Sequence, residues 1–406
     1  MKKHILVISQ YFYPEQFRIN DICIEWIKRG YKVTVITGIP NYPEGRYYLD
    51  YGVFKKRKEV YNGIEIVRLP LIPRGNNSVM LALNYFSFVV SGLFWNLFTK
   101  LDPDYVFIFE VSPMSQALPG VWHAKKRNIP CFLYVQDLWP ENVEIITGIK
   151  NKFIINSIGK MVDYIYKRTT KIFTTSNSFI KAIENRGVPK QKIEYWPQYA
   201  EGFYQPLSNC YVDEIPLDDM FNITFAGNIG YAQGLDILPH VAKRIQENYK
   251  NNNVRFNIIG GGRYKSDLEE LVFQMEVDNM FNFIPKQKPE KIPEFLSVSD
   301  AAFLCLTESK LFEMTIPAKL QTYMACGMPI IGSADGETSN IIKSSGAGVC
   351  SPTGDIENLA ENIIYLSRIG KDELIQIGSK SKKYYDFHFN KDNLLESMDQ
   401  HFMLNH

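Results

Sequence analysis

The sequence predicts an α/β protein built as two parallel-sheet domains, and three observations predict it. Its 406 residues are too many for one common domain and fit two of about 200. Short apolar runs alternate with helical patterns in both halves, which is the signature of βαβ units. Between the halves, from about Trp196-Pro197 to Asp219, the alternation lapses into a stretch holding Pro197, Pro206 and Pro216, an interdomain linker.

The elements follow in order. The start, Met1-Lys2-Lys3-His4-Ile5-Leu6-Val7-Ile8-Ser9, has too few apolar residues for a signal peptide and reads as a first strand over 5–9. Ile19, Ile22, Cys23, Trp26 and Ile27 recur at helical spacing and are closed by Gly30. Strands are expected over 32–37, 64–69, 105–109, 131–135 and 171–175, and in the second half over 222–226, 254–259, 281–284, 301–306 and 329–332. The segment 372–406 is helical, with Tyr384, Tyr385, Phe387 and Phe389 breaking it. The expected domains are 1–200, a linker at 201–220, 221–384, and a C-terminal helix at 385–406 that crosses back to the first domain.

A net charge of +1 argues for neither a nucleic-acid nor an acidic partner. The six cysteines are scattered, without C-x-x-C, and read as small core residues of a reducing compartment rather than a disulfide or zinc framework. The stretch 79–98 (VMLALNYFSFVVSGLFWNLF) is long enough to span a bilayer, yet Asn84, Ser87, Ser91 and Asn96 interrupt it. A spanning helix would tear the α/β pattern apart, which leaves a buried crossover helix or one lying on a membrane face. Lys55-Lys56-Arg57-Lys58, Arg68, Arg74 and Lys100 nearby suit an anionic bilayer surface; the competing reading of 55–58 is a solvated loop.

Four places carry chemistry. Asp137-Leu138-Trp139-Pro140-Glu141 follows the strand 131–135, so its carboxylates emerge at the strand's carboxyl end, where α/β sheets bind ligands. Asp137 there accepts a proton or holds a sugar hydroxyl, or else caps a helix ahead of Pro140. Gly227-Asn228-Ile229-Gly230-Tyr231-Ala232-Gln233-Gly234 follows the first strand of the second domain, and its glycines allow a phosphate close to the backbone. The spacing is not that of a dinucleotide fingerprint. Gly260-Gly261-Gly262-Arg263 ends the next strand in the same way. Fourth, Thr315 to Gly332 reads as loop, helix, turn and buried strand, with a helix over about 316–326 capped by Thr315 and closed by Gly327. Lys319 near its start points with the free N–H groups and is a candidate phosphate holder, against the plainer reading of a solvated lysine. Asp102-Pro103-Asp104 has D-x-D spacing but lies at the amino end of a strand, and no His/Cys cluster offers a metal site.

Together GNIGYAQGL (227–235), DLWPE (137–141) and PAKLQTYMACGMPII (317–331) resemble the retaining GT-B glycosyltransferases of family four, or group one. The resemblance covers nearly the whole chain and is nearest to bacterial O-antigen and capsule enzymes, among them N-acetyl-L-fucosamine transferases. It implies two Rossmann-like domains and transfer of a sugar, an N-acetylated deoxyhexose, from a UDP-sugar. The acceptor would be an undecaprenyl-diphosphate-linked saccharide at the cytoplasmic face of the inner membrane, with no metal or other cofactor. By motif, Asn228, Gly230, Gln233, Gly261, Gly262 and Arg263 would face the donor phosphates with Lys319 as the cation. Pro285 and Lys286 would read the base, and Gln321 and Thr322 would lie near the ribose. The family's paired glutamates fall on Met314 and Thr322, leaving Glu313 as substitute. Its usual histidine is Gln136, leaving Asp137. Its glycine-rich first loop is 13–18, where Glu15 and Arg18 would meet the acceptor and Arg18 would supply positive charge. Rival readings are a UDP-sugar 2-epimerase of the same fold and a non-catalytic nucleotide- or lipid-binding partner.

Overall fold

The computed structural model describes residues 2–143, 148, 150–208, 210–249 and 253–404. It divides into two units, Met1–Trp196 with Ser397–His406, and Pro197–Glu396.

The first unit runs β1 (His4–Ile8), α1 (Arg18–Lys28), β2 (Lys32–Gly38), β3 (Lys58–Tyr61), β4 (Ile64–Leu69), α2 (Ser78–Phe98), β5 (Tyr105–Glu110), α3 (Leu118–Arg127), β6 (Cys131–Val135), α4 (Lys152–Arg168), β7 (Lys171–Thr174), α5 (Asn177–Glu184) and β8 (Ile193–Tyr195). Its sheet has the order β3-β4-β2-β1-β5-β6-β7-β8 and is parallel except at β3, which pairs antiparallel with β4. The four residues of β1 from Ile5 to Ile8 are fully buried, as a central strand covered on both faces requires. Reversal of strand order between β1 and β5 places a switch point at the end of β1.

The second unit runs β9 (Phe221–Asn228), α6 (Ile237–Asn248), β10 (Val254–Gly261), α7 (Lys265–Gln274), β11 (Phe281–Ile284), α8 (Ile292–Ser297), β12 (Ala301–Cys305), α9 (Lys310–Glu313), α10 (Ala318–Ala325), β13 (Ile330–Ser333), α11 (Gly336–Ser345), β14 (Gly348–Ser351), α12 (Ile356–Arg368), α13 (Lys371–His388) and α14 (Lys391–Leu404), the last of which carries the chain back. Its sheet order is β11-β10-β9-β12-β13-β14, and every neighbouring pair runs parallel, so all six carboxyl ends share one edge. The order reverses between β9 and β12, which puts this unit's switch point at Gly227-Asn228.

Several expectations change. The segment 197–220 is no free linker: Tyr199, Ala200 and Ile215 are buried, and Tyr385 Oη accepts from Ala200 N at 3.1 Å. Asp218 pairs with Arg255 at 2.6 Å. Proline breaks regular structure there, but apolar side chains still anchor it to the second unit. Tyr384, Tyr385 and Phe387 do not break the C-terminal helix; α13 runs through them, and the break comes at Phe389-Asn390. From Ser397 onward α14 belongs to the first unit, where the Phe402 ring meets those of Trp26, Tyr105 and Phe132. The basic run 55–58 opens into the edge strand β3, and Arg68 is wholly buried, bound to Glu59 and to Tyr13 O, so it is no surface charge.

Candidate active site

The second unit's candidate site forms along the carboxyl edge of its sheet. β9 ends in Gly227-Asn228, and the φ of +146° at Gly227 suits glycine. A Cβ there would stand 2.5 Å from Lys319 Cε, so the bare backbone is what lets the lysine lie across this strand end. Lys319 sits one residue inside α10 and places Nζ 4.4 Å from the centre of the Phe225 ring. No carboxylate pairs with it among the described residues. Burial of the stem pulls its pKa down to about 8. An ammonium held half-buried, without a carboxylate partner, over an aromatic face beside a glycine turn has the chemistry to receive an anion.

The helix that carries Lys319 is shorter than the sequence suggested. Pro317 occupies the N-cap position, and Thr315 instead donates to Leu311 O at 2.8 Å, so it belongs to the turn after α9. Leu320, Tyr323 and Met324 are buried as the periodicity required, and Tyr323 Oη accepts from Ala226 N at 3.0 Å, locking α10 to β9. That bond fixes the lysine's distance from the loop.

The two glycine loops brace one another. A Cβ at Gly260 would lie 1.9 Å from Gly227 O, and one at Gly262 2.1 Å from Ile229 O. These glycines permit backbone-to-backbone contact rather than ligand approach. Gly261 differs, with open space where a Cβ would go, and Arg263 beside it is exposed. Asn228 is exposed at the strand end. Gln233 Oε1 accepts from Gly230 N at 3.2 Å and from Asn228 Nδ2 at 3.4 Å, so that oxygen shapes the loop from within. Pro285 and Lys286 are exposed just after β11, two strands along the same edge. Glu313 is exposed at the end of α9, its carbonyl packed against Gly336 at the start of α11. Thr322 is partly exposed and donates to Ala318 O at 3.0 Å.

Three candidates are placed otherwise than expected. Gln321 is 1% exposed, and neither polar atom of its amide has a partner among the described residues; it faces the interior, since the register that exposes Lys319 turns position 321 inward. Glu15 is 2% exposed, and its carboxylate accepts from Asn41 N at 2.8 Å, Tyr42 N at 2.7 Å and Phe12 N at 3.3 Å. It staples the loop after β1 to the loop after β2 and has no oxygen to offer an acceptor. Burial lifts its pKa to about 7. Arg18, at the start of α1, has Nε and Nη1 enclosed rather than extended into solvent.

Asp137 lies at the carboxyl end of β6, as expected, but Oδ2 accepts from both Ser112 N at 2.8 Å and Ser112 Oγ at 2.7 Å. Trp139 is buried rather than exposed, with Nε1 3.2 Å from the same Ser112 Oγ. The acidic residue and the tryptophan thus tie the ends of β5 and β6 together. Burial raises the Asp137 carboxyl above its ordinary range. Asp102 pairs with Arg127 at 3.7 Å, and Asp104 with Lys3 and His4 N, at the amino end of β5.

Two functional features were missed in the sequence. Phe225 reads as one more core residue of β9, and nothing local reveals it as the floor beneath an ammonium. The polar residues of α2 read in the sequence as interruptions of an apolar run. Yet Asn84, Ser87 and Ser91 stand at i, i+3 and i+7, one helical face, and that face points inward. Asn84 accepts from Gln10 Nε2 at 2.7 Å and donates to Ile72 O at 2.6 Å, while Ser91 donates to Pro70 O at 2.5 Å.

Comparison with known proteins agrees with this architecture. Residues 214–383 match the family Glycosyl transferases group 1, and residues 17–198 match Glycosyltransferase Family 4. WcaI of Escherichia coli K12, whose name assigns it to colanic acid biosynthesis as a glycosyl transferase, is 24% identical over 96% of this chain and 97% of its own. Among solved structures, sucrose-phosphate synthase from Thermosynechococcus elongatus superposes with a TM-score of 0.75 at 15% identity, covering 99% of both chains. HepE of Anabaena, crystallised with UDP-glucose, does so with 0.69 at 11% identity over 98% of this chain and 99% of that one. The fold is therefore GT-B, two Rossmann-like α/β units.

Proposed function

Since the chain belongs to the group 1 glycosyltransferases and is an enzyme of that class, we propose that it moves a sugar from a UDP-sugar to a lipid-linked saccharide, with retention at the anomeric carbon, during surface-polysaccharide assembly. The observation that carries the reading is Lys319: an unpaired ammonium laid on Phe225 and Gly227 at the switch point of the second unit's sheet. Colanic acid is the polymer named for the E. coli relative, and UDP-glucose is the ligand named for the HepE structure; both support the class of reaction proposed.

In this reading the sugar C1–O bond to the diphosphate breaks, the acceptor hydroxyl forms its bond to C1 on the same face, and its proton leaves with the diphosphate. Charge grows on the leaving group, so the group that stabilises it supplies most of the acceleration. We assign that role to Lys319, and the remaining phosphate contacts to Asn228, Gly261, Arg263 and the N–H groups of the two loops. Because a resident cation of the protein itself neutralises the diphosphate, we propose turnover without a metal. Glu313 and Thr322, exposed near α10, are left for the sugar and ribose. Pro285 and Lys286 are left for the base. An N-acetylated deoxyhexose is the proposed sugar, an undecaprenyl-diphosphate-linked saccharide the acceptor, and the cytoplasmic face of the inner membrane the place of work.

The test is a screen of UDP-sugars against lipid-diphosphate-linked saccharides, read by mass, with and without EDTA. One sugar added to the acceptor, equally in EDTA, is the expected result. Conversion of the UDP-sugar without acceptor would instead favour a 2-epimerase. Donor binding without turnover on any acceptor would favour a binding partner.

A further inference from the structure

The helix α2 shows apolar side chains to solvent as well as to the core. Its 21 residues carry no charge; Asn84, Ser87, Ser91 and Asn96 share the inward side with Leu81, Tyr85 and Phe88, while a second set of large apolar side chains faces away: Val79 is 69% exposed, Phe86 67%, Phe94 57% and Phe98 80%. On an ordinary surface helix the outward side is charged or polar. The inward face is fixed by the bonds of Asn84 and Ser91, and by Asn96 Oδ1 3.0 Å from His123 Nδ1, so the helix cannot roll its apolar face under. By length and hydropathy it also passes for a spanning segment, but this polar bolting to the α/β core means that it lies along a surface.

Beside the C-terminal half of α2, the edge ribbon β3–β4 leaves a groove of about 890 Å³, with Val60, Leu69, Phe94, Trp95, Phe98 and Leu101 in its walls. Its rim is cationic. Lys58 borders it directly; Lys55 and Lys56 precede Lys58 in the chain and Lys100 follows Thr99 of the groove wall, all exposed and none in an ion pair among the described residues, with Lys56 over the Tyr51 ring. Of the acids in the walls, Glu59 is bound by buried Arg68 and Glu65 by Lys32. An apolar slot bordered by exposed Lys58, with further exposed lysines next to its wall residues in the chain, matches a molecule with a hydrocarbon chain and an anionic head. A second copy of this chain would bring the same cations to its own face, so self-association meets like charge.

We propose that this surface seats the enzyme on an anionic bilayer and that the groove takes one hydrocarbon chain of a membrane phospholipid. It deepens the location proposed above and rests on it only for which membrane is met. Phe94 and Phe98 enter the acyl region, the lysines contact lipid phosphates, and Trp95 lies against the captured chain.

Trp95 makes the proposal measurable, because bromine on an acyl chain quenches indole fluorescence only at short range. Vesicles of phosphatidylglycerol carrying brominated chains should quench wild-type fluorescence, and unbrominated vesicles should not. Trp95→Phe should remove that quenching while co-sedimentation with the vesicles persists. Phe94→Glu with Phe98→Glu should abolish both, with UDP binding in vesicle-free solution retained as proof of folding. Replacing Lys55, Lys56 and Lys58 by Gln should weaken partitioning by about fivefold for each lysine at low salt, and by little at 1 M. Co-sedimentation without Trp95 quenching would overturn capture of a chain. Lack of co-sedimentation, or dimerisation lost in the Phe94/Phe98 variant, would overturn the membrane assignment. None of these outcomes bears on UDP binding, whose absence in the wild type would count against the catalytic reading alone.

Discussion

Replacing Lys319 by Met removes the ammonium while keeping a stem that covers Phe225 and Gly227. A unit charge about 4 Å from a phosphate oxygen, at an effective dielectric of about 20, is worth roughly 4 kcal/mol. Loss of one donor aimed at developing charge costs about 10²–10³ in turnover. The expected kcat/KM of the variant is therefore about 10²–10³ below wild type. The fold should not suffer, because Lys319 has no ion pair and burial of its charge costs stability. Its native pKa, near 8, lies below its ordinary 10.5. Between these values the unfolded chain holds more protons than the native one, so the burden is full below about 8 and recedes as pH rises toward 10.5. The melting temperature of the Met variant at pH 7 should equal or exceed that of wild type. Wild-type kcat/KM should fall as pH rises through about 8, because the free enzyme loses its ammonium there, and this limb should vanish in the variant. Steady-state kinetics across pH 6–9.5 with parallel thermal melts decide the matter. A variant within twofold of wild type, or one that keeps the descending limb, refutes the assignment of Lys319.

Other positions give sharper separations of structure from chemistry. Gly227→Ala places a methyl 2.5 Å from Lys319 Cε, so it should displace the ammonium and weaken UDP binding, read by calorimetry, more than it lowers the melting temperature. Gly260→Ala meets a backbone oxygen at 1.9 Å and should do the reverse, costing at least about 2 kcal/mol of stability in a denaturant titration. Asp137→Asn should loosen the Ser112 tie and cost about 1–3 kcal/mol; a large fall in kcat at unchanged stability would restore Asp137 to a catalytic role. Glu15, with its pKa raised to about 7 from 4.5, should contribute about 3 kcal/mol that is fully present below about pH 4.5 and lost as pH rises through about 7. Denaturant titrations at pH 4.5 and 7.5 should show this loss in wild type and not in Glu15→Gln.

The sheets were legible because buried parallel strands write themselves as apolar runs, and the runs at 5–9, 105–109 and 131–135 fall within one residue of the central strands β1, β5 and β6. What escaped was short, exposed or half-polar. β3 begins within a lysine-rich run and is an edge strand, where charge is favoured precisely because nothing pairs beyond it, so composition pointed to a loop. β8 and β14, of three and four residues, are too short for any periodicity. At the site, the motif located the lysine but not its environment. Whether an ammonium at position 319 is solvated or poised depends on Phe225 and Gly227, ninety residues away in the chain and adjacent only through the β9–α10 lock at Tyr323.

The same limit explains the residues that moved out of the site. Glu15 and Asp137 are carboxylates at strand ends, which is where both catalytic acids and loop staples occur, and sequence position cannot separate the two. The separating quantity is how many N–H and O–H donors each carboxylate already serves: three for Glu15, and both donors of Ser112 for Asp137. A carboxylate so engaged must break those bonds before it can take a substrate proton, and breaking them leaves buried donors unmet. Lys319 is the opposite case, a charged group whose partner is missing from its own chain. Burial cost without an internal partner marks a group held ready for a ligand, whereas burial with every lone pair accounted for marks a group that holds the fold. By that criterion the proposed chemistry falls on the second unit's strand ends. The first unit's unmet surface is the exposed apolar face of α2, for which the proposed partner is not an anion but a hydrocarbon phase.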